Sequence, residues 1–142
     1  MTLQFSADVR NAILDAVEAE ISTAPILRIY TGSAPANCAA AATGTLLAEM
    51  TLPSDWMGDA AAGSKALSGT WQDSLANATG TAGYFRVWDS GDTTCHIQGT
   101  VTDGEGNEYS SSKTNYITIY PTEGRLGIQE DSDTLSATGT VS

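Results

Sequence analysis

Short β-prone runs separated by loops of small residues constrain the fold of this chain more than any other feature of its sequence. Two segments show the pattern most clearly: PILRIYTGSAPANCAAAATGTLLAEMTL, which begins at Pro25, and GTAGYFRVWDSGDTTCHIQGTV, which begins at Gly80. In each, a strand-like run enters a loop that holds one cysteine and then returns as a second strand-like run. Few groups in either segment could exchange protons or attack a substrate. The pattern is therefore typical of a scaffold and not of an active site.

From Pro25 onward the hydrophobic periodicity is two, as expected for β-strands. We predict strands at residues 26–30, 45–52, 65–71, 83–89, 93–102 and 115–120, followed by LGIQ and TLSATGTV. The three residues SGD should turn the fourth of these strands into the fifth as a hairpin. The glycines of GTAGYF should allow close strand approach at a turn. Seven to nine short strands indicate a mainly β fold, an antiparallel β-sandwich of either the jelly-roll or the immunoglobulin-like type.

One amphipathic α-helix is predicted near the N-terminus. Ser6 can cap it, Asp8 lies in its first turn, and its apolar positions recur at a spacing of three or four: Val9, Ile13, Leu14, Val17 and Ile21. Pro25 prevents its continuation. We expect the helix to pack on the sandwich or on a neighbouring subunit. As an alternative to the aromatic anchors named below, the helix or the residues before it, MTLQFS, could be the element that docks on a partner.

Length and charge limit the class of protein. The 142 residues suit one domain, 1–142, with an N-terminal arm and helix at 1–24 and a sandwich at 25–142. A net charge of −11 with six scattered basic residues disfavours nucleic acid as a partner. No apolar run approaches the ~20 residues of a membrane span, so no membrane partner is expected. The N-terminus does not resemble a secretory signal, which predicts synthesis in the cytoplasm.

The residues that could carry chemistry are few. His96 is the only histidine, and it follows Cys95 directly, so in a strand the two side chains point to opposite faces. A closed zinc site needs about four Cys or His ligands, more than the chain has. Asp103, Glu105 and Asn107 alternate like the first ligands of an EF-hand, but the later positions of that motif do not fit. We therefore expect no enzyme activity, no catalytic residue, no metal and no cofactor.

Cys38 and Cys95 are the two cysteines, and each lies in an equivalent small-residue segment. They could form a disulfide. Two cysteines do not make a disulfide framework, however, and cytoplasmic thiols usually stay reduced, so two free thiols are the favoured interpretation.

Two sequence segments also resemble a known protein family. LRIYTGSAPANCAAAATGTLLAEMTLPSDWM followed by GTAGYFRVWDSGDTTCHIQGTV is similar to small virion proteins of tailed bacteriophages and prophages, among them capsid cement or decoration proteins. The resemblance covers roughly residues 13–102. It implies a jelly roll in place of the immunoglobulin-like alternative, and a structural protein on the outer surface of the phage head. It also implies binding at junctions between major capsid subunits, which stabilises the shell.

Two kinds of partner follow from that resemblance: the major capsid protein and further copies of the chain in a homodimer or homotrimer. Large aromatic side chains are the usual anchors of such interfaces, and the candidates are Phe5, Tyr30, Trp56, Trp71 and Trp88. Two alternatives remain. One is a protein of the tail or fibre, and the other is a carbohydrate-binding β-sandwich on the virion surface that stacks sugars on exposed aromatic rings.

Overall fold

In a computed structural model, the described part of the chain comprises residues 3–73 and 75–101, together with the backbone of three further strands. Its elements in chain order are α1 (Ala7–Ile21), β1 (Ile26–Thr31), β2 (Leu46–Thr51), β3 (Lys65–Ala66), β4 (Trp71–Asp73), β5 (Ala82–Trp88), β6 (Cys95–Val101), β7 (Tyr116–Tyr120), β8 (Arg125–Gln129) and β9 (Leu135–Val141). The fold is mainly β with one helix among the described residues.

The helix begins and ends where the sequence predicts. The Ser6 hydroxyl accepts a hydrogen bond from the backbone N–H of Val9 at 3.3 Å, which caps the first turn. At the other end Ser22 has a positive φ of 71°, and its N–H donates to the carbonyl of Glu18. Pro25 then leads into β1. The predicted helix is thus confirmed.

Four strands form an antiparallel sheet in the order β2–β1–β5–β6. In the register of β1 with β5, Leu27 lies opposite Val87 and Arg28 lies opposite Arg86. The chain turns between β5 and β6 at Asp89, whose carboxylate accepts hydrogen bonds from the backbone N–H groups of Thr93 and Thr94. The predicted hairpin is confirmed.

Beyond β6 the backbone continues the sheet through β8, β7 and β9, and both β3 and β4 pair with β9. Two of these pairings, β6 with β8 and β7 with β9, are parallel. Antiparallel pairing throughout was predicted, so these two pairings differ from the expectation.

Residues 65–71 do not form the single strand that the sequence predicts. They divide into β3 and β4, separated by Gly69, whose φ of +71° is incompatible with a continuous strand. A Cβ at Gly69 would also lie 2.6 Å from the Pro53 ring.

Gly83 confirms the expectation of close strand approach. It lies in β5, where a Cβ would overlap the backbone carbonyl of Gly32. Only glycine permits the two backbones to come this near.

The two faces of the four-stranded sheet differ sharply. On the first, which we call the apolar face, Leu27, Ile29, Phe85 and Val87 are buried and join a single core. Trp56 and Met57 fold back into that core, as predicted, and the Trp56 and Trp71 rings lie 5.8 Å apart.

The opposite face, which we call the polar face, carries charged and aromatic side chains: Arg28, Tyr30, Tyr84, Arg86 and Trp88. Residues 33–44, which connect β1 to β2, lie over it and are called the covering loop below. The Tyr84 hydroxyl donates to the Thr43 carbonyl at 2.5 Å and accepts from the Thr43 N–H at 2.9 Å. Tyr30 stacks on Tyr84 with ring centroids 5.0 Å apart.

Candidate interaction surface

Helix α1 exposes its apolar side. Val9, Ile13 and Val17 are 43%, 51% and 39% exposed, and they lie on one side of the helix at intervals of four residues. Leu3 and Phe5, which precede the helix in sequence, are also exposed, at 78% and 52%. We call these five residues the apolar stripe. Contiguous exposed apolar surface on a folded protein is typical of an interaction site.

The other side of the helix holds it to the rest of the chain. Lys65, at the start of β3, is almost fully buried, and its ammonium group lies 2.6 Å from Asp15 and 2.8 Å from Glu18. The Asp15 carboxylate also accepts from the Ala60 N–H, and the Asn11 side chain accepts from the Gly63 N–H. The polar side of α1 therefore faces the body of the protein.

The pKa values of the ion pair reflect this attachment. Burial disfavours the charged form of Lys65, but hydrogen bonds to Asp15 and Glu18 outweigh it, and the pKa of Lys65 is raised. The hydrogen bond from Lys65 is the main cause that lowers the pKa of Asp15. Both groups are thus held in their charged forms.

An open groove of about 470 Å³ runs beside the stripe, between α1 and β6. Its walls are almost entirely apolar and are formed by Ile13, Ala16, Val17, Glu20, Ile21, His96 and Ile97. Glu20 forms no ion pair with any residue in the described part of the chain. The groove and the stripe share Ile13 and Val17, so together they form one continuous surface.

The structure brings His96 and Cys95 to opposite sides of β6, in line with the sequence. His96 lines the groove beside α1, whereas Cys95 lies on the polar face near the covering loop. This separation leaves no Cys–His pair at these two positions.

The five predicted anchor residues are dispersed. Phe5 lies in the apolar stripe and is exposed, and Trp88 is half-buried on the polar face. Tyr30, Trp56 and Trp71 are 7%, 3% and 1% exposed and pack inside the chain. Of the five, only Phe5 and Trp88 thus offer surface to a partner in this structure.

Trp88 is placed between two arginines. The guanidinium carbons of Arg28 and Arg86 each lie 5.7 Å from its ring centroid, a distance suited to cation–π attraction. Arg28 also pairs with Glu49 at 2.6 Å and with both carboxylate oxygens of Asp92. Hydrogen bonds to Asp92 are the main cause that raises the pKa of Arg28. The Trp88 ring is thus held by contacts with two arginine side chains of the same chain.

Sequence reasoning did not find the outward direction of the stripe. The pattern of α1 identifies its apolar side but not what covers that side. The pairing of Lys65 with two carboxylates of α1 determines which side of the helix faces the protein. The sequence does not reveal this pairing, because Lys65 lies far along the chain from α1.

Within residues 3–73 and 75–101, no group of three or more His, Cys, Asp or Glu side chains is arranged to hold a metal ion. The alternating residues Asp103, Glu105 and Asn107 lie outside the described residues. In the same part of the chain, no helix is long and apolar enough to cross a membrane.

Comparison of the chain with protein-family models, with curated proteins and with solved structures finds no match in any of the three.

Proposed function

We propose that this chain is a structural protein of a tailed-phage virion, a capsid cement or decoration protein on the outer surface of the head. It would bind where major capsid subunits meet and stabilise the shell. In this proposal the strands form a β-sandwich of the jelly-roll type. The resemblance of two sequence segments to such virion proteins supports it.

The observation that carries the proposal is the apolar stripe of α1. A helix held by its polar side, with Val9, Ile13 and Val17 directed outward, presents a surface suited to burial against another protein. Many copies acting on a repeating shell would each bury this stripe, and a few well-packed apolar anchors can carry most of the binding energy.

The charge distribution adds to this argument. The chain carries a net charge of −11, and Glu20 at the edge of the groove has no cationic partner among the described residues. An exposed acidic surface limits association between identical chains until specific contacts form. We therefore infer that the capsid surface facing the stripe is apolar and bordered by basic side chains.

Reconstitution on phage heads tests the proposal. Heads that lack the protein are mixed with the purified chain, and occupancy is measured by cryo-electron microscopy and by sedimentation of bound protein. The wild-type chain should appear in regular density over capsomer junctions, in many copies. Density confined to the tail or to fibres would instead support the tail alternative and contradict the cement role.

Matched variants test the stripe itself. The double substitution Ile13→Gln with Val17→Gln should lower the affinity for heads by at least tenfold, because exposed apolar anchors are lost. Leu75→Gln is the control, since Leu75 is 77% exposed and lies outside the stripe. Equal binding by both variants would show that another surface carries the interaction. Point variants are preferable to removal of residues 1–22, because that removal also deletes the buried Ile21.

Self-association is tested with the same variants. We propose a symmetric dimer or trimer, which analytical ultracentrifugation of the wild-type chain would detect. If the stripe variant binds heads normally but is monomeric, the stripe is the contact between copies. A wild-type chain that stays monomeric both free and on heads would contradict the oligomer.

A further inference from the structure

The covering loop is fixed to the sheet by hydrogen bonds on both sides of Cys38. Arg86, which is fully buried, donates to the carbonyls of Asn37 and Ala40 at 3.1 Å and 2.8 Å. Gln98 donates to the carbonyl of Pro35 at 2.8 Å. These three bonds place the backbone around Cys38 directly over β5 and β6.

Cys95 lies under this part of the loop. It pairs with Trp88 across the β5–β6 ladder and is 8% exposed, while Cys38 is half-buried. The Cys95 thiol donates to the carbonyl of Ile97 at 3.4 Å, the Cys38 thiol lies near enough to raise the pKa of Cys95, and both cysteines are free. Two neighbouring thiols whose backbone segments are already held together by other bonds need little movement to become covalently linked.

We propose that Cys38 and Cys95 form a reversible disulfide when the protein meets a small-molecule disulfide of the glutathione type. The inference concerns the covering loop and does not depend on the proposed function. It gives this loop two states, one tied to the sheet by hydrogen bonds alone and one tied also by a covalent bond.

The reaction proceeds by two thiol–disulfide exchanges. The thiolate of Cys38, the more exposed of the two, attacks oxidised glutathione, forms a mixed disulfide and releases one glutathione thiolate. The sulfur of Cys95 then loses its proton and attacks the Cys38 sulfur, which releases the second glutathione thiolate. Two protein thiols are oxidised and one glutathione disulfide is reduced, so electrons and protons balance.

The surroundings of Cys95 make the second step dependent on pH. Burial, and next the contact with Cys38, raise the pKa of the Cys95 thiol to about 12, although the nearby Arg86 guanidinium acts in the opposite direction. Because the thiolate is the attacking species, ring closure should become faster as the pH rises from 7 to 9.

Oxidation in a glutathione redox buffer tests the proposal. The purified chain is incubated with oxidised glutathione at pH 8, remaining thiols are alkylated with iodoacetamide, and the intact mass is measured. We expect a monomer that has lost two hydrogen atoms and carries no alkyl group, with Cys38 linked to Cys95 in the peptide map. The melting temperature should rise by roughly 5–10 °C, and dithiothreitol should reverse the change.

Two variants serve as controls. Cys38→Ser and Cys95→Ser should each remain without an internal disulfide and show no rise in melting temperature under the same treatment. The proposal is overturned if the wild-type chain keeps two alkylated thiols, carries two glutathione adducts, or forms disulfides between chains. It is also overturned if the disulfide forms and the melting temperature falls, since that would show strain in place of a good fit.

Discussion

The covering loop and helix α1 are attached to the rest of the protein by different means. The loop is bonded to strands β5 and β6, whereas the helix is bonded to residues 60–65. The loop has no regular secondary structure, yet a fully buried arginine and two further side chains of the sheet hold its backbone carbonyls. The helix is regular, yet Ile21 is its only buried residue and its polar side is held mainly by Lys65. Regular secondary structure is therefore no measure of how firmly a segment is attached. The side-chain contacts that hold the segment determine how firmly it is attached.

The largest effect is expected from Arg86→Leu. The substitution leaves the carbonyls of Asn37 and Ala40 and the side-chain oxygen of Gln98 without their donor in a partly buried site. We expect the free energy of unfolding to fall by about 3–5 kcal/mol, since removal of one partner from a buried polar network leaves the others unpaired. Urea denaturation followed by tryptophan fluorescence measures the change.

Arg86→Lys is the informative control for that variant. It keeps the positive charge but loses the planar fork that reaches two carbonyls at once, so it should recover only a minor part of the stability. Full recovery would mean that charge alone, and not the geometry of the guanidinium, holds the covering loop.

Acid should release the helix before the loop. Lys65 holds the pKa of Asp15 below its ordinary value, so this contribution to stability is present above about pH 4 and is lost as the pH falls through the lower folded-state pKa. The acceptors that hold the loop are carbonyl and amide oxygens, which do not titrate in this range. Hydrogen exchange, corrected for the intrinsic rate at each pH, should show α1 losing protection while residues 33–44 keep theirs.

Lys65→Met should produce the same loss at neutral pH. Amide exchange in α1 should accelerate by about tenfold, because local opening is governed by the contacts that hold the segment. Simultaneous loss of protection in α1 and in the covering loop, in acid or in this variant, would show that the two segments unfold as one unit.

A smaller effect is expected from Tyr84→Phe. The ring keeps its stacking on Tyr30, and only the hydroxyl that bonds both the N–H and the carbonyl of Thr43 is removed. We expect the free energy of unfolding to fall by about 1–2 kcal/mol, because one pair of hydrogen bonds to the covering loop is lost. An unchanged midpoint in thermal unfolding would indicate that water replaces the hydroxyl without cost.

The smallest effect is expected from Ile13→Gln. Its side chain is 51% exposed on the apolar stripe, so the free energy of unfolding should change by less than about 0.5 kcal/mol. Differential scanning calorimetry checks this. A loss above about 2 kcal/mol would show that the stripe is covered within the isolated chain.

Much of the local structure could be predicted from the sequence, because it depends on near neighbours. Ser6 and Pro25 limit the helix, and the aromatic and β-branched residues of β5 mark a strand next to its hairpin turn. The burial of Lys65 could not be predicted, since its carboxylate partners belong to a distant segment. The direction of the apolar stripe depends on that same pairing and was missed with it. The break at Gly69 reflects a backbone angle that many glycines in strands do not adopt.

The point where α1 joins the sheet also has a mechanical consequence. The Trp56 indole N–H donates to the carbonyl of Ser22, and the chain then enters β1, which has β2 on one side and β5 on the other. Once the contacts of Asp15 and Glu18 with Lys65 have parted, a pull on the helix would stretch this bond to a core tryptophan. It would then have to slide β1 past two neighbouring strands at once, so that many ladder hydrogen bonds resist together. Force applied at the N-terminal end of the molecule is thus carried into an inner strand of the sheet and not into its edge strand.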